Sequence, residues 1–192
     1  MSGTARAFVI GIGGGSASGK STIAEELRAR LAPRPVVVIN QDKYFLPTEQ
    51  LPRHTSPDGG RDWPDHNQPG SFDFPRLRED LRAARGGEGE VVILEGILVL
   101  HDPELRALMD LKLFVEAEAD ERIVRRIRRN VARGYDLDGI CDFYLDSVRF
   151  RHAEFCAPTR AYADYVIPGG QDARSEAEAM LERVAAEVGR RG

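Results

Sequence analysis

Five short apolar runs punctuate the chain: FVIGI at 8–12, VVVI at 36–39, VVIL at 91–94, LKLFV at 111–115 and YVI at 165–167. Each is too short for a buried helix and too continuously apolar for a half-exposed strand, so each predicts a strand covered on both faces. Between them, STIAEELRARLA, PRLREDLRAAR, PELRALM, DERIVRRIRRNVARG and GICDFYLDSVRFRHAEF carry the helical period. A last helix, DARSEAEAMLERVAAEVGRR, closes the chain with Ala177, Leu181, Val184 and Val188 on one face. Strands alternating with helices predict an α/β fold built on a five-stranded parallel sheet with helices on both faces. Residues 46–72 break the alternation: they show neither period and hold five of the eleven prolines. A patternless stretch of that length inside a compact domain usually serves function.

At 192 residues, 42% of them hydrophobic, the chain has the size of one domain, 1–192, with room for a mobile appendage. A formal net charge of −4 speaks against a generic nucleic-acid or membrane-surface binder. The longest apolar run, VVILEGILVL, is broken by Glu95 and is too short to span a bilayer, and the N-terminal strand passes into glycines without a signal-peptide pattern. A cytoplasmic protein is expected, with no nucleic-acid or membrane partner; the sequence leaves room for a homo-oligomer. Cys141 and Cys156 lie in no CxxC or Cys/His cluster, which favours thiols over a disulfide or a zinc site.

Residues 11–22, GIGGGSASGKST, carry the first chemistry. Gly14, then Gly15, Ser16, Ala17 and Ser18, then Gly19, Lys20 and Ser21 satisfy G-x-x-x-x-G-K-[ST] directly after a strand and before a helix. Such a P-loop cradles a polyphosphate with backbone N–H groups and the helix N-terminus. Lys20 would reach the β- and γ-phosphates of ATP, Ser21 would give a hydroxyl to Mg²⁺, and Thr22 would donate to the α-phosphate. The dinucleotide fingerprint G-x-G-x-x-G fails because Ser16 stands in place of the third glycine. A switch GTPase needs a guanine-reading N-K-x-D, which is absent, and DLDG at 136–139 follows a helix rather than a strand. A remodelling ATPase carries an acidic pair after a strand, whereas VVILEG offers Glu95 alone. Size and the single acid favour a small-molecule kinase; a nucleotide-gated binding protein without transfer activity is the alternative.

Asp42 follows VVVINQ and so falls past the carboxyl end of a parallel strand, on the edge where ligands of open α/β sheets sit. A carboxylate there can orient and deprotonate an acceptor hydroxyl, although a turn or helix-cap aspartate fits the position too. Glu95 ends another strand at that edge, either as a ligand of the Mg²⁺ water shell or as a buried acid paired with a lysine or arginine. Arg122, Arg126, Arg129 and Arg133 share one helical face, with Ile123, Val124, Ile127 and Val131 on another. In an acidic protein with few acids interleaved, that stripe suits a lid, at about 120–150, closing over transferring phosphates.

Taken together, GIGGGSASGKST, NQDKYF, DWPDH with SFDFPRL, VVILEGILVL, DLKLFVEAEADERIVRRIRRN and APTRAYADYVIPGG resemble the uridine kinase family of P-loop kinases over nearly the whole chain. The resemblance implies ATP and Mg²⁺ and phosphorylation of a nucleoside 5'-hydroxyl. It implies Asp42 as the base, Asp65 of the Asp-His pair on the ribose hydroxyls, Tyr44 beside the acceptor, and Arg126, Arg129 and Arg133 in the lid, with Arg133 toward the nucleotide. The chain also departs from that family. The family's hairpin, P-x-Y-D-F with a following histidine, is missing where LRAARGGEGEVVILEG runs straight across, Tyr135 stands at an expected arginine, and Phe143 stands at an expected glutamine. The expected acceptor is therefore a nucleoside-like molecule or small polyol not read through a pyrimidine edge, and a nicotinamide riboside kinase-like enzyme is the runner-up.

Overall fold

The computed structural model describes residues 6–56, 59–87 and 91–191. The five apolar runs form strands β1 (Phe8–Gly14), β2 (Val36–Asn40), β5 (Val91–Glu95), β6 (Leu111–Glu116) and β7 (Tyr165–Pro168). They make one sheet in the order β2-β5-β1-β6-β7, with every neighbouring pair parallel. Alternate residues of each inner strand face opposite layers, as the two-residue period of a strand requires. Phe8, Ile10, Ile12, Val91 and Ile93 pack with helices α1 (Lys20–Arg30) and α7 (Arg174–Arg191). Val9, Val92 and Leu94 pack on the other face with α2 (Phe74–Arg85), α3 (Pro103–Leu108) and residues 98–100. The face expected on the last helix is the one buried: Ala177, Leu181, Val184 and Val188. The parallel register brings Asn40 and Ile12 level with Glu95, so the carboxyl ends of β2, β5 and β1 meet at one edge.

The structure corrects the sequence reading in three places. The stretch 46–72 is not without structure: β3 (Arg53–Thr55) and β4 (Asp62–Pro64) form an antiparallel ribbon flanked by 3-10 turns at Thr48–Gln50 and Pro69–Ser71. Three-residue strands are too short to display a period. Residues 139–155 are not one regular helix either. After α4 (Ala119–Val131) and α5 (Leu137–Phe143), the chain makes π turns at Tyr144–Val148 and His152–Cys156 on either side of α6 (Arg149–Arg151), then a 3-10 segment to Tyr162. Each π turn holds an extra residue and so re-aims the side chains after it. Finally, the apolar stripe of α4 has no core beneath it. Arg122 is the buried residue of that helix, while Val124 and Val131 are 45% and 47% exposed. The helix lies beside the loop after β1, and Arg122, Arg126 and Arg129 reach toward Gly15 and Ser16 while Arg128 stays exposed.

Between α2 and β5 lie residues 86–90, of which 88–90 fall outside the described residues. No described helix is long and apolar enough to cross a membrane. Both cysteines are free thiols, Cys156 buried and Cys141 half-buried.

Candidate active site

The loop after β1 takes a conformation that few side chains tolerate. Gly14 has φ 143°, and a Cβ there would stand 2.5 Å from the Val115 carbonyl oxygen. Ala17 has φ 63°, a left-handed conformation that costs a non-glycine residue about 1 kcal/mol or more and recurs in anion-binding loops. From the first turn of α1, the buried Lys20 Nζ donates to the Gly15 carbonyl at 2.9 Å. Burial lowers its pKa, against the opposing pull of Cys156, Glu95 and Asp42. The turn after β7 closes the loop from the side: a Cβ on Gly169 would collide with the Ser18 carbonyl.

Glu95, almost fully buried, accepts from Ser21 Oγ at 3.0 Å and from Asn40 Nδ2 at 2.5 Å. Both donors are neutral, and no ion pair to Glu95 occurs among the described residues, so the alternative of a lysine- or arginine-paired acid is not what the structure shows. Burial raises its pKa, with Lys20 and Ser21 opposing. No group of three His, Cys, Asp or Glu that could cage a metal occurs among the described residues. The Ser21 hydroxyl and the desolvated Glu95 carboxylate are hard oxygen donors of the kind Mg²⁺ takes together with substrate phosphates. Asp42 is exposed one turn past β2; its N–H donates to Asn40 Oδ1 at 2.7 Å. Its carboxylate acts electrostatically on Lys20, His66 and Arg129.

The arginines of α4 reach the same loop. Arg126 Nη1 and Arg129 Nη2 both donate to Ser16 Oγ, at 3.1 and 3.4 Å. Burial and then Arg129 lower the Arg126 pKa to about 10; burial and then Arg133 lower that of Arg129. Arg122 is held by the Ala117 carbonyl and lies, with His152, against Gly15. Arg125 is off the stripe, yet it also belongs to the site. It donates to the Gly169 carbonyl at 2.8 Å and lines a cleft of about 430 Å³ with Ser18, Gly19, Thr22 and Arg174. No local signal could have found it, since its partner comes from a turn 44 residues away.

A second cleft, about 440 Å³, opens on the other side of Arg126 and Arg129. One wall is the ribbon, through Trp63, Pro64 and His66; the other is α4 and α5, through Arg133, Tyr135 and Phe143. An Arg61–Asp142 ion pair and contact between the Trp63 and Phe143 rings, 5.5 Å apart, tie the two walls together. Tyr135 stands 65% exposed at the mouth. His66, which the sequence alone does not single out, has its pKa lowered by burial, with Asp65 opposing.

Tyr44 and Asp65 line neither cleft. Tyr44 is buried against α2, its hydroxyl donating to Asp80 at 2.7 Å, and burial, then Asp80, pushes its pKa up to about 12. Asp65 has no exposed surface and accepts from Arg151 Nε at 2.7 Å, from the Asn67 N–H at 2.8 Å and from Gln68 Nε2 at 3.0 Å. The structure thus gathers Lys20, Ser21, Glu95, Asp42, Arg126 and Arg129 about the loop and engages Tyr44 and Asp65 elsewhere.

Comparison with known proteins identifies the family and the fold. Residues 79–175 match the model of the phosphoribulokinase / uridine kinase family. A uridine kinase of Deinococcus deserti is 36% identical over 88% of this chain and 91% of its own. Uridine kinase-like protein 3 of Arabidopsis thaliana is 32% identical over 95% of this chain, which spans only 43% of that relative's length. Among solved structures, the shikimate kinase of Acinetobacter baumannii superimposes with a TM-score of 0.57 over 96% of both chains at 16% identity, a likeness of fold.

Proposed function

Because the chain belongs to the phosphoribulokinase / uridine kinase family, we propose that it is an ATP-dependent kinase moving the γ-phosphoryl group to a hydroxyl of a ribonucleoside or similar small polyol. The observation that carries this reading is the meeting of Lys20, the Ser21–Glu95 pair, Arg126 and Arg129 on one phosphate loop, with Asp42 on the adjoining strand end. The residues 14–22 cradle the triphosphate, and the cleft beside Thr22 and Arg125 takes the nucleoside half of the donor. Ser21 and Glu95 would hold Mg²⁺, which offsets phosphate charge when bound. Arg126, partly buried, and Arg129, more exposed, are both already aimed at the loop and would stabilise charge on the transferring group. Asp42, just past the end of β2 and outside the residues that line the second cleft, would orient an acceptor hydroxyl reaching from that cleft toward the phosphate loop and receive its proton. Residues 1–192 are read as one kinase domain with about 120–150 as its lid.

The second cleft offers aromatic surfaces, Trp63, Tyr135 and Phe143, beside the polar side chains of His66, Asn130, Arg133 and Asp136, and the sequence carries neither the hairpin nor the arginine and glutamine that the resemblance would assign to a pyrimidine edge. Aromatic walls stack on a ring without identifying it. Uridine and cytidine are accordingly expected to be weak acceptors beside another riboside or polyol. The test is ADP release over nucleosides, nicotinamide riboside, pentoses and small alcohols, with Lys20→Ala as the control. Acceptor-dependent release that Lys20→Ala abolishes supports the kinase; ADP release independent of any acceptor supports a nucleotide-gated binder instead. Uridine or cytidine as best acceptor, with kcat/KM above about 10⁴ M⁻¹s⁻¹, would refute the argument from the cleft walls.

A further inference from the structure

Asp65 sits between two residues that face the second cleft, Pro64 and His66, yet does not line that cleft itself. Its carboxylate accepts three hydrogen bonds from within the protein: one oxygen takes Arg151 Nε and Gln68 Nε2, the other takes the Asn67 N–H. Its carbonyl takes the Ser71 hydroxyl at 2.6 Å, which fixes the backbone around it. Arg151 is anchored in turn, with a second ion pair to Glu154 at 2.8 Å and its guanidinium 5.8 Å from the Phe155 ring centroid. The π turns on either side of α6 set the direction from which Arg151 approaches. A carboxylate recognises a vicinal diol by accepting two charge-assisted hydrogen bonds, and on the wholly buried Asp65 three of about four acceptor positions are filled from within the protein, which leaves too few for a diol. Removing the cation from a wholly buried carboxylate costs more than two hydroxyl hydrogen bonds return.

We propose that Arg151 is a specificity-determining residue: by holding Asp65 it withdraws that acid from the acceptor, so that acceptors with and without a vicinal diol are phosphorylated alike. The inference rests on the kinase reading above, and its test is built to fail separately. The first measurement takes the best acceptor of the panel and its analogues, each lacking one hydroxyl other than the phosphorylated one. Wild-type kcat/KM is expected to change by no more than about threefold across them, and in Arg151→Met the diol-bearing acceptor should gain at least about tenfold over its deoxy analogue. A best acceptor with no vicinal diol supports the proposal too. A wild-type loss of more than about 30-fold on removing one such hydroxyl overturns it while leaving the kinase intact. The second measurement uses no substrate: urea unfolding of Arg151→Met, Asp65→Asn and the double variant. Coupling of at least about tenfold in the unfolding constant is expected, and its absence overturns the proposal. Should Arg151→Met fail to fold, recovery of the fold in the double variant reports the same coupling. If no alcohol elicits ADP release, the kinase reading falls and this cycle alone decides whether Arg151 holds Asp65.

Discussion

Acidification should destabilise this protein through one imidazole. His152 lies against Gly15, where a Cβ would stand 3.0 Å from its ring, and its Nδ1 has no hydrogen-bond partner among the described residues. Burial, then Arg122, then Lys20 lower its pKa to about 4 from the ordinary 6.5. The folded value is below the unfolded one, so above about pH 6.5 both states are neutral and nothing is lost. As pH falls through 6.5 toward 4, the unfolded chain takes up a proton that the folded chain refuses, and stability declines throughout that window. At about pH 5 the two values give a loss of about 2 kcal/mol; the ring is only partly buried, so solvent screening brings this to about 1 kcal/mol. His152→Gln keeps a neutral polar group of similar size and removes the titration. Urea unfolding of both proteins at about pH 7.5 and about pH 5 isolates the effect, because the carboxylates common to both cancel. The wild type should lose about 1 kcal/mol more than the variant, or about 2–4 °C in Tm. Equal losses would refute a neutral, desolvated His152 behind the phosphate loop.

Two further outcomes concern transfer. Asp42→Asn keeps the hydrogen bond from its own N–H to Asn40 but cannot take a proton, so kcat should fall about 10²-fold or more while ATP titration shows unchanged binding. Arg126→Ala should lower kcat by about 10²-fold with little change in unfolding, whereas Arg128→Ala, on the exposed side of α4, should leave kcat within about twofold; equal losses would mean that charge on the helix, not aim at Ser16, matters.

The strands and the phosphate loop were legible because their causes are local. An apolar run buried on both faces looks the same from the sequence as from the core, and Gly14, Lys20 and Ser21 carry their meaning in their spacing. Arg126 and Arg129 were legible through the helical period alone. What was lost depends on chain segments that meet only in the fold. Asp65 is bonded by Arg151, 86 residues away, and Arg125 by the turn at Gly169. Tyr44 reads as an acceptor neighbour until Asp80 of α2 is seen to claim its hydroxyl. The missing hairpin was legible as a shortage of residues, whereas the ribbon at 53–64 that walls the second cleft was hidden by its three-residue strands.

Arg151 and His152 are consecutive residues, one pressed on the loop that carries Asp65, the other on the loop that carries Gly15. Two loops about fifty positions apart in the chain are therefore gauged against a single turn of helix, as the jaws of a calliper are set by one beam. Phosphoryl transfer is intolerant of spacing errors, since about 1 Å of misplacement can cost 10²-fold in rate. The relation between the two jaws is set by one step of backbone, at the junction of α6 and the π turn that follows it, and not by the loops themselves.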